Sequence, residues 1–411
     1  MEKVNLDALI QREDFEVKDE NNSTSLSQTI KISDLERDAF FYKFLRKPDF
    51  QRETSDWDPQ KNLDFIKCFL NEDLIPAIIF WNSGQYTFVI DGAHRLSALL
   101  SWVHDDYGDG FISQSFFGHD INDDQKTIAE KTRRLINKGI GAYKTFQESI
   151  KNPEKAHPDI LKYARKLGYL SLQLQWVKGG AEKAEASFFK INQEATPINE
   201  TEIELLRARM KPHALSARAI IRSGTGHKYW SKFKPEIQAQ IENLAKEINE
   251  TLFIPQLETP IKTLDLPLAG KGYSANTLSL VYDLVCISNN KKAKDEIPDD
   301  VDGNLTMQYL RNTGKLVRRI ASVHPSSLGL HPAVYFYSSK GRYQPTAFLA
   351  IIELMKEFEQ NSSFLAFTKI RADFEDFLIK HKSFINQVTL KHGSSMKGYM
   401  PLKNILVFIV D

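Results

Sequence analysis

At 411 residues and 47.1 kDa the chain exceeds the usual size of one domain, and two domains are expected. Hydrophobic residues at 42% and charged residues at 26% exclude a chain disordered throughout. The formal net charge of +1 divides into −12 over residues 1–124, +11 over 125–240 and +2 over 241–411, so the basic middle rather than the total bears on anionic partners.

No run approaches the roughly 18 uncharged apolar residues of a membrane helix, and Met1 opens a polar, acidic segment without a signal-peptide core. A soluble, cytoplasmic protein with no membrane partner is expected. Cys68 and Cys286 stand far apart with no Cys or His at ligand spacing. That pattern supports neither a disulfide framework nor a structural metal.

In chain order, residues 1–29 include Asp19-Glu20-Asn21-Asn22-Ser23-Thr24-Ser25 and are read as a flexible lead-in. Asp58 followed by Pro59 signals a helix start, with Leu63, Ile66, Phe69 and Leu70 on one apolar stripe. Two β-rich runs follow, Ala77 to Trp81 and Tyr86 to Ile90, joined by the turn residues Asn82-Ser83-Gly84-Gln85. Beyond Asp91-Gly92, Leu96, Leu99, Leu100 and Val103 recur at helical spacing. Asp91-Gly92-Ala93-His94-Arg95 therefore sits where a strand turns into a helix.

Asp105 to Gly118 is an acidic loop, and the chain to about Lys246 reads as mainly helical, with a domain boundary near Lys211-Pro212. A short strand from Ala333 to Tyr337 and a helix from Thr346 to Phe358 are expected in the tail.

The junction is the sharpest chemical feature. The first amides of a helix lack intrahelical partners and the dipole adds positive potential, so Gly92, Ala93 and His94 can offer donors to a phosphate. Arg95 adds a planar fork, His94 a proton-moving group, and Asp91 an oxygen ligand for a metal or water. The alternative is structural: Asp91 as helix cap, Gly92 as tight turn, Arg95 as a residue paired with an acid.

The run Val89-Ile90-Asp91-Gly92-Ala93-His94-Arg95-Leu96-Ser97-Ala98-Leu99 resembles the signature of the ParB/sulfiredoxin-like superfamily. It is most similar to the D-G-Q-Q-R or D-G-Q-H-R branch, which includes GmrSD-type N-terminal domains and DndB-like proteins of bacterial restriction, phosphorothioation and phage-defence systems. Pro48-Asp49-Phe50-Gln51-Arg52 with Trp57, Leu74-Ile75-Pro76-Ala77-Ile78, and Phe188-Phe189-Lys190-Ile191-Asn192 followed by Pro197-Ile198 and Glu202 agree in type and order.

The resemblance implies an α+β fold: a small mixed ParB-like sheet with helices over residues 30–210, followed by a mainly helical domain over 211–411. It places Asp91, Gly92, His94 and Arg95 in a phosphate-handling loop, with Gln51 and Arg52 on the opposite wall. Asp91, His94 and Arg95 are then the catalytic candidates; Gln51, Arg52, Gly92, Ala93 and Arg95 are the phosphate-binding ones. Ala93 replaces the usual Gln, which counts against nucleotide hydrolysis more than against phosphate binding. Asn192 caps a turn or touches a ligand.

DNA is the implied partner. A nucleoside triphosphate with magnesium is the implied cofactor of a phosphoryl hydrolase, an NTPase or nuclease, and a homo-oligomer or defence-system proteins are further partners. The alternative is a non-catalytic DNA-binding transcriptional regulator or adaptor of the D-G-Q-H-R group.

Other motifs fail. In the acidic loop Tyr107 and Phe116 occupy positions where a calcium loop needs oxygen ligands. Gly270-Lys271 lacks the spacing of a P-loop. The cluster from Leu328-Gly329-Leu330-His331-Pro332 through Tyr335, Tyr337, Gly341, Arg342 and Tyr343 suits either base stacking or a buried strand.

Overall fold

In the computed structural model the described residues are 3–13, 26–48, 51, 54–117, 121, 123–195, 204–205, 207–225, 227–254, 266–270, 275–291, 296–321, 327–383, 387–388, 391 and 396–410. The chain folds as two compact units, Met1–Leu206 and Arg207–Asp411.

The first unit is built on a six-stranded mixed sheet. Its strands are β1 (Arg12–Glu13), β2 (Thr29–Lys31), β3 (Leu45–Pro48), β4 (Ile78–Asn82), β5 (Thr87–Asp91) and β6 (Ser171–Val177), in the order β1-β3-β5-β4-β6-β2. β1, β3 and β5 are mutually parallel neighbours, with Arg12 opposite Lys47 and Arg46 opposite Phe88. β4 returns antiparallel to β5 as the expected hairpin, and β6 runs parallel to β4. The carboxyl ends of β3 and β5 consequently lie side by side on one edge, the position where ligands gather in parallel sheets.

The α-helices of this unit include α1 (Phe40–Phe44), α2 (Pro59–Asn71), α3 (Ala93–His104), α4 (Phe111–Phe116), α5 (Asp123–Gly139), α6 (Tyr143–Lys151), α7 (Pro158–Leu167) and α8 (Ala181–Ala195). α2 begins as its sequence dictates: the Asp58 carboxylate accepts from the Lys61 amide at 2.8 Å, and Pro59 occupies the first turn, where its missing N–H costs nothing.

Alternation divides the sheet's two faces. Phe80 and Val89 join the stripes of α2 and α3 in the main core, whereas Trp81, Phe88 and Ile90 pack against Ala184 and Phe188 of α8. The central strands are thus covered on both faces, which explains the near-continuous apolar run of β5.

Three sequence expectations are corrected. Residues 3–13 were expected within a flexible lead-in, yet Val4, Leu6, Ala8, Leu9 and Ile10 are buried in the core and β1 belongs to the sheet; apolar alternation outweighs the segment's polar average. The stretch expected to be mainly helical contains β6, whose Leu172 and Leu174 point inward between exposed neighbours. Ala333 to Tyr337 is no strand: Pro332–Tyr335 form a helical turn begun by His331, whose Nδ1 accepts from the Ala333 amide at 3.3 Å, and only Tyr337 bridges to Tyr343.

The second unit is helical: α9 (Pro212–Ile221), α10 (Pro235–Phe253), α11 (Ala275–Ser288), α12 (Asn304–Ala321), α13 (Pro332–Tyr335), α14 (Pro345–Gln360), α15 (Phe364–Lys380) and α16 (Met396–Val410) are its described helices. The expected helix over Thr346 to Phe358 is α14, whose Phe348 and Ile352 are fully buried. Asp300 starts α12 by accepting from the amides of Gly303 and Thr306 and from the Thr306 hydroxyl.

In α9, His213 is 4% exposed beside Tyr282. Burial, with Lys211 and Lys291 adding to it, pulls its pKa down to about 4. The folded form keeps the imidazole neutral, while the unfolded chain takes up a proton near pH 6.5. This contribution is therefore complete above about pH 6.5 and is lost as pH falls toward 4, by about 3 kcal/mol in all. Thermal unfolding measured from pH 7 to pH 4.5 should show a steeper fall for the wild type than for His213→Gln.

Candidate functional site

The turn from β5 into α3 is a sharp corner. Gly92 is the N-cap residue, with φ 98° and ψ 12°, a left-handed conformation that suits only glycine without strain. A Cβ added there would sit 2.5 Å from Ile78 Cδ1 and 3.2 Å from Arg95 Nη2, so β4 packs directly against the glycine. That face of Gly92 is closed to a ligand. Among the described residues no side chain caps α3, which leaves its first-turn amides without the usual side-chain acceptor there.

Asp91 is not the cap. Its Oδ2 accepts from Arg95 Nη2 at 2.6 Å, one helical turn on, and Arg95 Nη1 donates to the Pro76 carbonyl. Burial lowers the Arg95 pKa, and Asp91 opposes that shift. The fork thus holds an oxyanion already, supplied by the chain itself.

His94 faces the loop that precedes α2. Its ring stacks on Trp57 at 5.9 Å between centroids and 27° between planes, and Nε2 lies 4.0 Å from Asp56 Oδ2. Lys3 Nζ approaches the other oxygen of Asp56 at 2.8 Å, and Lys61 Nζ lies 5.0 Å above the Trp57 ring. The corner therefore combines an aromatic pair with alternating charges.

Gln51 follows β3, its amide donating to the Pro48 carbonyl at 3.0 Å. It is 7% exposed, and its buried Oε1 has no hydrogen-bond partner among the described residues; a buried acceptor left so costs free energy. Arg52, Pro197, Ile198 and Glu202 lie outside the described residues. Asn192 falls on α8, its side chain outside the description.

The structure thus gathers Asp91, Gly92, Ala93, His94 and Arg95 at one corner, with Trp57 and Asp56 beside His94; Gln51 follows β3, its amide donating to the Pro48 carbonyl. Lys3, Asp56 and Lys61 escaped the sequence reading, and Trp57 figured only as a neighbour of the Gln51 motif. Among the described residues no group of three or more His, Cys, Asp or Glu side chains is placed to hold a metal ion.

The other candidate regions resolve into packing. Asp106 in the acidic loop accepts from the amides of Gly108, Gly110 and Ser113 and from the Ser113 hydroxyl. In the tail cluster, the Tyr335 hydroxyl donates to Glu375 at 2.8 Å and the Tyr337 hydroxyl to the Pro267 carbonyl at 2.7 Å. Among the described residues no helix is long and apolar enough to cross a membrane.

No curated protein and no solved structure matches the chain. One family model does, that of the GmrSD restriction endonuclease, N-terminal domain, over residues 29–211. That match spans β2 to β6, the Gly92 corner and α8, and so takes in most of the first unit. Over residues 29–211, less than half of the chain, the sequence is similar to a GmrSD-type N-terminal domain.

Proposed function

We propose that the protein is a phosphate-binding component of a bacterial restriction or phage-defence system, and that its ParB-like corner at Gly92 to Arg95 engages DNA or a nucleotide. The family match supports the setting, since a restriction-type domain acts on DNA. The observation that carries the site is the start of α3: a helix N-terminus with no side-chain cap among the described residues, beside a half-buried guanidinium and the His94–Trp57 pair.

In this reading the Asp91 carboxylate holds the place of a phosphate in the Arg95 fork. An incoming phosphate displaces it and takes over the charge-assisted hydrogen bond from Arg95 Nη2. Ala93, His94 and Arg95 supply backbone donors, and the Trp57–His94 pair gives a base or sugar a flat surface. If the protein hydrolyses a phosphoryl group, the released Asp91 would orient the attacking water, His94 would move the proton and Arg95 would neutralise developing charge; a magnesium ion, if bound, would take Asp91 as its carboxylate ligand here and supply Lewis-acid charge.

A second reading, a non-catalytic DNA-binding regulator or adaptor, is favoured by the engagement of Asp91 as the Arg95 counterion. One experiment separates the two. Duplex DNA and a panel of nucleoside triphosphates, with and without magnesium, are tested for binding and hydrolysis with wild type, Arg95→Ala and Asp91→Ala. Arg95→Ala should weaken binding at least about ten-fold, the worth of one lost charge-assisted hydrogen bond.

Asp91→Ala is expected to retain or tighten binding in both readings. Loss of turnover in that variant supports the enzyme, whereas salt-sensitive binding with no turnover in the wild type supports the regulator. Identical behaviour of wild type and Arg95→Ala on every ligand would contradict both.

A further inference from the structure

Residues 3–12, outside the family match, build one wall of the corner. Val4 N donates to the Trp57 carbonyl and Leu6 N to the Thr54 carbonyl, each at 2.9 Å. Lys3 pairs with Asp56 at 2.8 Å. At the centre is Asp7, 1% exposed, whose Oδ1 accepts from Lys47 Nζ at 2.7 Å, Arg12 Nη2 at 2.9 Å and the Thr54 amide at 3.0 Å. Lys47 Nζ, fully buried, also donates to the Asp7 carbonyl at 2.9 Å and to the Thr54 hydroxyl at 3.1 Å.

An apolar cluster of similar volume would fill this space without desolvating ions and would hold the core equally well. It would not set a register. A carboxylate with three donors from three different segments fixes all of them relative to one another: β1 through Arg12, the end of β3 through Lys47, and the loop leading to Trp57 through Thr54. Gln51 lies between Lys47 and Thr54, and Trp57 three residues beyond. Both ends of the Gln51 loop are therefore pinned to one buried atom.

We propose that Asp7 is a positioning residue for the Gly92 corner: through Lys47, Arg12 and Thr54 it holds the Thr54-to-Trp57 wall against His94, so that the binding domain takes in residues 3–12 as well as those from residue 29 on. The functional consequence rests on the phosphate-binding reading above; the structural consequence does not. A polar network of this kind acts on position, and its removal loosens the wall before it loosens the sheet.

The test compares full-length wild type, Asp7→Asn and Thr54→Val by amide hydrogen exchange and by binding of labelled duplex DNA. Asp7→Asn is expected to speed exchange at least ten-fold in peptides covering residues 3–9 and 51–57, with the hairpin at 78–91 unchanged, and to weaken DNA binding at least ten-fold. Thr54→Val keeps every charge and removes only the hydroxyl. It should speed exchange about three-fold at 51–57 and carries the test if Asp7→Asn does not fold.

Unchanged exchange at 51–57, or acceleration equal to that of the hairpin, overturns the positioning role. So does faster exchange with DNA binding intact. If the wild type binds neither DNA nor nucleotide, the phosphate-binding reading fails, and the exchange pattern alone decides the role of Asp7.

Discussion

Gly92→Ala should destabilise the first unit by about 3 kcal/mol and abolish ligand binding at the corner. Two costs combine. A left-handed backbone disfavours any Cβ by roughly 1–2 kcal/mol, and here the Cβ would also meet Ile78 Cδ1 at 2.5 Å. Forcing a methyl into packed surroundings typically costs a further 1–3 kcal/mol. Relief requires β4 to retreat or the start of α3 to swing, and a swing of α3 carries the first-turn amides and His94 with it. For a unit of about 200 residues the loss corresponds to a fall of roughly 10 °C in Tm. Thermal unfolding followed by circular dichroism, with DNA binding measured well below the transition, checks both parts.

Trp102→Ala should cost more stability, about 4 kcal/mol, and leave the site working once the protein is folded. Trp102 is 1% exposed at the far end of α3 and packs edge-on to Tyr143 and Phe146 of α6. Its indole N–H donates to the Gly141 carbonyl at 2.8 Å. Removing so large a buried ring typically costs 3–5 kcal/mol because the cavity closes only in part, and the Gly141 carbonyl loses its partner. Trp102→Phe should cost about half as much, since it keeps most of the ring contact and loses the N–H. Urea unfolding of the two variants measures the difference. Retained DNA binding by folded Trp102→Ala separates stability from function, because Trp102 lies at the opposite end of α3 from His94.

The parts of the first unit legible in sequence were those fixed by neighbours in the chain. Asp58-Pro59 starts α2, Asn82-Ser83-Gly84-Gln85 turns β4 into β5, and Asp91-Gly92 marks the corner. Each rests on a local preference that no distant contact overrode. β1 and β2 span two and three residues, too few for periodicity to register. β6 does alternate, Leu172 and Leu174 inward and Gln173 and Gln175 outward, but helices on either side masked its signal. The Asp7 cluster joins residues 40 and 47 positions apart, and no spacing rule links them.

The site divides the same way. The strand-to-helix geometry was readable, and so was an acid partner for Arg95 as one alternative, but that acid is Asp91, which the sequence offered as the helix cap instead. The pairing depends on Ile78, which fills the space behind Gly92, and on the Pro76 carbonyl, which completes the guanidinium's partners. His94 on Trp57 follows from the placement of α2 beside α3, a tertiary fact that a linear pattern does not carry.

The central claim, that the uncapped start of α3 takes a phosphate, is tested most directly by following the backbone amide resonances of Ala93, His94 and Arg95 in the full-length protein during titration with a short DNA duplex and, separately, a nucleoside triphosphate. The account predicts saturable shifts of these three amides with at least one of the two ligands, accompanied by a change at the Arg95 side-chain N–H groups as Asp91 is displaced. Saturable binding that leaves all three amides and Arg95 unmoved would contradict it.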